Sequence, residues 1–216
     1  TNMMRDESST TQSNSTLCNN SCENVPELTD EEREAIHFRK VVNAFISYQV
    51  HSTKKIQHEE EYINKLPPHQ QVLLENYKIH LQKLKTCIEH NHEIIKLIGK
   101  GLDSIFSNKT DTFSRGKGSV LPSLADMEKV QQTIKQLVRD WSKDGQGERD
   151  QCYSPILKAI DTYFPQDKVE PSLIKVLVPG AGLGRLAFEI ARKGYFSQGN
   201  EFSLFMLFTS NFVLNR

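Results

Sequence analysis

Ile174-Lys175-Val176-Leu177-Val178-Pro179-Gly180-Ala181-Gly182-Leu183-Gly184-Arg185-Leu186, followed by Gln198-Gly199-Asn200-Glu201, is the stretch whose reading decides the fold. A short β-branched run predicts a strand, three alternate glycines a tight turn, and Leu186, Phe188, Ile190 and Ala191 an apolar helix face. A second strand follows and ends in an acid. Glycines suit such a turn because it needs unusual φ/ψ and because a side chain would hold a ligand away from the backbone. Strand, turn, helix, strand and acid, in that order, form a unit that can hold a nucleotide-type ligand over the turn. Glu201 follows Gly180 by 21 residues, close to the roughly 20 expected for an acid that binds ribose hydroxyls.

The spacing narrows the ligand. Gly180, Gly182 and Gly184 read G-x-G-x-G, whereas the dinucleotide fingerprint would place a glycine or alanine where Arg185 stands. The turn therefore resembles that of S-adenosylmethionine-dependent methyltransferases more than that of nicotinamide-dependent oxidoreductases. Other nucleotide ligands and a purely structural turn stay open at this point.

The flanking residues are more specific. Leu177 to Ala187, Gln198-Gly199-Asn200-Glu201-Phe202-Ser203, Phe205 to Phe208 and Ser210 to Asn215 resemble the carnosine N-methyltransferase family. Upstream, Val138-Arg139-Asp140-Trp141-Ser142, Glu148-Arg149-Asp150, Cys152-Tyr153 and Pro155-Ile156 carry the same resemblance, which extends from about residue 29 to the end. It implies methyl transfer from S-adenosyl-L-methionine to an imidazole nitrogen of carnosine, giving anserine. The fold class it implies is α/β: a helical N-terminal region, then the start of a Rossmann-like (class I) methyltransferase domain. A sheet of that type has further strands, and this sequence supplies two. The expectation is an incomplete, weakly active or inactive form, with the acceptor-binding residues beyond Arg216.

In the order of the chain, residues 1–28 are rich in Ser, Thr, Asn and Gln and read as a disordered tail. Cys18 and Cys22 lie in that tail without a second ligand pair at metal-binding spacing. Residues 29–122 read as a helical region. Thr29-Asp30-Glu31-Glu32 is a capping box opening a helix whose apolar stripe is Ile36, Val41 or Val42, Phe45 and Tyr48. A second helix is expected from about Ser52 to Leu66, ending before Pro67-Pro68. A third, from about His69, has apolar positions Val72, Leu73, Leu74, Tyr77, Leu81 and Leu84, and continues or breaks near Cys87. His80, His90 and His92 read as surface residues, since His90 and His92 diverge too far on a helix to share a metal. Ser107 to Ser123, with Arg115-Gly116-Lys117-Gly118-Ser119, reads as a loop without assigned chemistry.

Residues 123–216 are expected to hold the cofactor-covering helices and the first β-α-β-α of the sheet. Gln136 and Arg139 lie three apart, side by side on the helix that starts near Ser123. Periodicity alone makes them an exposed polar pair. The resemblance instead implies that this helix covers the glycine turn and that both residues bind S-adenosylmethionine. The donor's carboxylate can pair bidentately with an arginine. Arg139 is the first candidate, then Arg185 and Arg149, with Trp141 read as core. The cofactor-binding set is thus Gln136, Arg139, Gly180, Gly182 and Glu201. No catalytic residue is assigned and no metal is expected.

Composition limits the alternatives. Lys+Arg and Asp+Glu both number 27 in 216 residues, so no overall field favours nucleic acid or an anionic membrane. Four cysteines do not suggest a disulfide scaffold. The most apolar segment, Phe202 to Leu214, is too short to span a bilayer. The expectation is a soluble intracellular protein, cytoplasmic and also nuclear, acting on a small-molecule substrate, with a homodimer allowed. The competing functions are a nicotinamide-dependent oxidoreductase and a helical interaction module with a vestigial turn.

Overall fold

The computed structural model describes residues 28–106 and 121–215, the first range with side chains only as far as residue 100. The expected tail with Cys18 and Cys22, apart from Leu28, and the Arg115–Ser119 loop lie outside the described residues. Helix α1 spans Asp30–Lys65, α2 Pro68–Leu73, α3 Glu75–Phe106, α4 Leu124–Trp141 and α5 Gln146–Tyr163. Strand β1 (Lys175–Pro179), helix α6 (Arg185–Arg192), strand β2 (Phe196–Asn200) and helix α7 (Leu204–Leu214) follow. The chain is mostly helical, of mixed α/β type, with a two-stranded parallel sheet in which Val178 faces Gly199 and Pro179 faces Asn200.

The capping boxes form as the sequence demands. Thr29 Oγ1 accepts the Glu32 N–H at 3.2 Å, and Glu32 accepts the Thr29 N–H at 2.9 Å. At α4, Ser123 and Asp126 repeat the exchange. The break expected near Ser52 is absent, and α1 is one continuous helix. No glycine or proline interrupts residues 30–65, and Ser52 is buried on the packed face. The third helix is divided at Leu74, and α3 then runs unbroken past Cys87. Leu81 is buried and Leu74 and Leu84 are partly buried, while Val72, Leu73 and Tyr77 are exposed.

A helical core gathers Val41, Phe45 and Ile56 of α1, Leu81, Ile88 and Ile95 of α3, and Met127, Val130 and Ile134 of α4. Helix α7 joins it through Phe205 and Phe208, whose rings lie 5.6 Å from Phe45 and 5.3 Å from Phe38 respectively. Leu207 and Leu214 are exposed, so α7 is buried on one side only. A second cluster forms around the sheet: Val178, Ile190 and Tyr195, covered by Leu157 and Ile160 of α5. Helix α5 thus packs on the strand that follows it, as its position predicts. No helix among the described residues is long and apolar enough to cross a membrane.

Candidate functional site

The glycine turn has the backbone its sequence requires. Gly180, Gly182 and Gly184 have φ of 62°, 56° and 78°, the left-handed region that side chains with a Cβ disfavour. A Cβ built on Gly180 or Gly182 meets nothing within 4 Å, so the backbone there is bare toward open space. At Gly184, Leu214 Cδ1 of α7 would lie 2.9 Å from such a Cβ. The turn is pinned to the second strand by the Ala181 N–H, which donates to the Asn200 carbonyl at 2.9 Å.

Glu201 faces the turn. Its Oε2 accepts the Gly182 N–H at 2.8 Å, and its Oε1 accepts the N–H groups of Phe202 and Ser203, each at 2.8 Å. The carboxylate therefore ties the turn to the start of α7, where a negative charge also suits the helix dipole. Three of roughly four carboxylate lone-pair sites are filled. One hydroxyl donor fits without rearrangement, and a second displaces one N–H. Beside the turn opens a cavity of about 320 Å³ lined by Gly182, Gly184, Ser197, Gly199, Glu201 and Leu214, among others. That volume lies at the small end of the roughly 300–1,000 Å³ range of small-molecule pockets.

Gly180, Gly182 and Glu201 are thus brought together. Gln136 and Arg139 do not line this cavity. They sit half-buried on α4, whose last turn is latched to the glycine turn. The Trp141 Nε1–H donates to the Leu183 carbonyl at 3.2 Å, and Arg185 Nη1 donates to the Asp140 carbonyl at 2.9 Å. Arg185 also stacks on Trp141, 4.9 Å from the ring centroid, and pairs with Glu189 at 2.6 Å. Arg149 donates to the carbonyls of Arg139 and Ser142 at 2.6 and 2.7 Å, closing the end of α4. Both runner-up arginines are therefore committed to structural partners. Arg139 Nε binds Asp140 Oδ1 at 2.7 Å, and that hydrogen bond, against the opposing effect of burial, holds the guanidinium pKa above its ordinary value.

Two cavity residues were not singled out by their side-chain chemistry. Gly199 has a steric role, since a Cβ there would lie 2.9 Å from Ala181 Cβ. A glycine inside a strand was the available signal. The buried Ser197 hydroxyl has no hydrogen-bond partner among the described residues, and nothing in the sequence marked it. Of the histidines, His80 and His90 are exposed and His92 is half-buried. No group of metal-ligating side chains occurs among the described residues. Cys87 and Cys152 are free and exposed.

The fold and turn define an α/β chain with a carboxylate set against a bare glycine backbone, and its sequence is similar to that of methyltransferases. Residues 117–216, a little under half of this chain, match the family model described as carnosine N-methyltransferase. The carnosine N-methyltransferase of Mus musculus is 49% identical over 189 residues, covering 87% of this chain and 47% of that protein. Carnosine N-methyltransferase unmet of Drosophila melanogaster is 39% identical over 205 residues, covering 86% and 45%. The carnosine N-methyltransferase of Schizosaccharomyces pombe is 37% identical over 191 residues, covering 86% and 50%. The chain spans about half the length of these curated relatives.

Proposed function

We propose that this chain forms the donor-binding part of a carnosine N-methyltransferase, built on the start of a Rossmann-like sheet. The reading is carried by one observation: the Glu201 carboxylate sits on the Gly182 N–H, beside backbone left open at Gly180 and Gly182. S-adenosyl-L-methionine fits such a cradle. Its ribose hydroxyls suit Glu201, and its methionine end lies along the bare turn toward α4, where Gln136 and Arg139 would receive the amino-acid group. When bound, it supplies a methyl group already activated by the sulfonium charge. The protein then needs neither a metal nor a covalent nucleophile. Its task is to hold donor and acceptor at near-attack distance and to keep the turn dry.

The acceptor would be the imidazole of carnosine, giving anserine. Free imidazole has a pKa near 6.5, so a neutral, nucleophilic fraction exists at neutral pH and a strong base is optional. No residue of this chain is assigned to the acceptor.

Calorimetric titration of the purified chain with S-adenosylmethionine and with NAD tests this reading. The parent is expected to bind S-adenosylmethionine in preference to NAD. Gly182→Val, which forces a β-branched residue into φ near 56° over the open turn, and Glu201→Ala should each abolish measurable binding. Tighter binding of NAD, or undiminished binding by both variants, overturns it.

A further inference from the structure

The junction of α4, α5 and α6 holds a carboxylate that the donor site as described does not use. Asp140, at the end of α4, is 1% exposed. Its Oδ1 accepts from Arg139 Nε at 2.7 Å and from the Tyr153 hydroxyl of α5 at 3.2 Å. Arg185 approaches the Asp140 carbonyl instead, its charge being paired with Glu189. Arg139 is therefore the cation that compensates this buried charge, and a buried carboxylate is tolerated only with such a partner.

The way Arg139 makes that pair is informative. A guanidinium serving only to neutralise a carboxylate favours a two-pronged contact. Arg139 instead donates through Nε, and among the described residues nothing accepts from its two Nη groups, while its side chain keeps 37% exposure. Tyr153 holds the other partner still. Burial and the neighbouring Asp140 raise its pKa, so the phenol stays protonated and remains a donor.

We propose that Asp140 is a positioning residue, which with Tyr153 holds the Arg139 guanidinium by its inner edge so that its Nη groups present to the carboxylate of an amino-acid-bearing ligand. The assignment rests on the donor-site reading above and deepens it. It makes a buried acid, itself remote from ligand, a determinant of affinity for the amino-acid half of the donor alone.

The test uses two ligands that differ in that half. S-adenosylhomocysteine carries the amino-acid carboxylate; 5′-methylthioadenosine has the same thioether-linked adenosine without it. Both are titrated calorimetrically into the chain and into Asp140→Asn and Tyr153→Phe. The loss of a charge-assisted contact should weaken S-adenosylhomocysteine by about tenfold or more in Asp140→Asn, and by several-fold in Tyr153→Phe. Methylthioadenosine affinity should change by less than about twofold in both, since no contact to it is altered. Equal weakening of both ligands means a merely structural residue and overturns the proposal, as does no change in either. If Asp140→Asn does not fold, Tyr153→Phe preserves volume and decides the matter alone. Failure of the parent chain to bind either ligand overturns the donor-site reading itself. Binding of both with equal affinity spares that reading and removes only this inference.

Discussion

Gly199 offers the sharpest test of how the turn is built. It lies in β2 opposite Val178, and a Cβ added there would sit 2.9 Å from Ala181 Cβ, a separation that side-chain carbons essentially never show. Ala181 Cβ is fixed to the turn backbone and cannot rotate away. The Ala181 N–H is held at 2.9 Å by the Asn200 carbonyl one residue further along the same strand. Gly199→Ala must therefore push the turn off the strand and stretch that bond. Overpacking of this kind costs about 1–3 kcal/mol, and a weakened backbone hydrogen bond adds up to about 1 kcal/mol. A loss of about 2–3 kcal/mol is expected in urea unfolding, together with weaker S-adenosylmethionine binding as Gly182 moves relative to Glu201. The compensating change is specific. Ala181→Gly removes the opposing methyl and alone costs only about 0.5–1 kcal/mol through added unfolded-state freedom. The double variant should recover most of the stability lost by Gly199→Ala, leaving a coupling of at least about 1 kcal/mol in a double-mutant cycle. A neutral Gly199→Ala, or additive single effects, refutes the reasoning.

The remaining expectations concern α4 at its two ends. A Cβ at Gly145 would collide with the Arg139 carbonyl, so Gly145→Ala forces backbone apart and should cost about 3 kcal/mol or more in denaturant unfolding; unchanged stability would contradict the packing. At the other end, burial pushes the Asp126 carboxyl up, but the Ser123 hydroxyl and N–H and the Lys40 ammonium outweigh it, and the pKa lies below the ordinary value. A depressed folded pKa gives stability that is present above the unfolded value near 3.9 and is lost as pH falls through the folded one. Asp126→Asn should therefore cost about 2 kcal/mol at pH 7 through lost capping and the orphaned Lys40 contact. The gap to the parent should close once acid has protonated Asp126, and a gap that stays constant down to pH 2 would exclude the assignment.

What the residues disclosed in advance was local. Three glycines at alternate positions called for left-handed backbone, and all three adopt it. Thr29 and Ser123 announced their helices through acids three residues on. Glu201 was legible because its distance from the turn is set by one helix and one strand. The through-space contacts were not legible. Nothing near Ser52 says whether a helix continues there, because an internal serine is tolerated when the surrounding face is packed, and tertiary burial decided it. Val72, Leu73 and Tyr77 are apolar yet exposed, and the division of the helix at Leu74 carries no glycine or proline signature. The Trp141 contact to Leu183 spans 42 residues, and no periodic pattern encodes it.

Helix α4 has 18 residues, about 27 Å of rigid rod. Its first turn is held to α1 by the Lys40–Asp126 pair at 3.0 Å, and its last turn to the glycine turn through Trp141 and Arg185. The buried methionine, valine and isoleucine of its middle belong to the helical core, not to the sheet cluster. A helix fixed in this way transmits the position of α1 to Gln136, Arg139 and the turn at once. Shortening the chain to the strand–turn–helix–strand unit would keep the glycines and Glu201 but leave Leu183 without its indole donor and Arg185 without its carbonyl. If the proposed donor site is right, the helical half belongs to it, since α1 sets the angle at which α4 meets the turn.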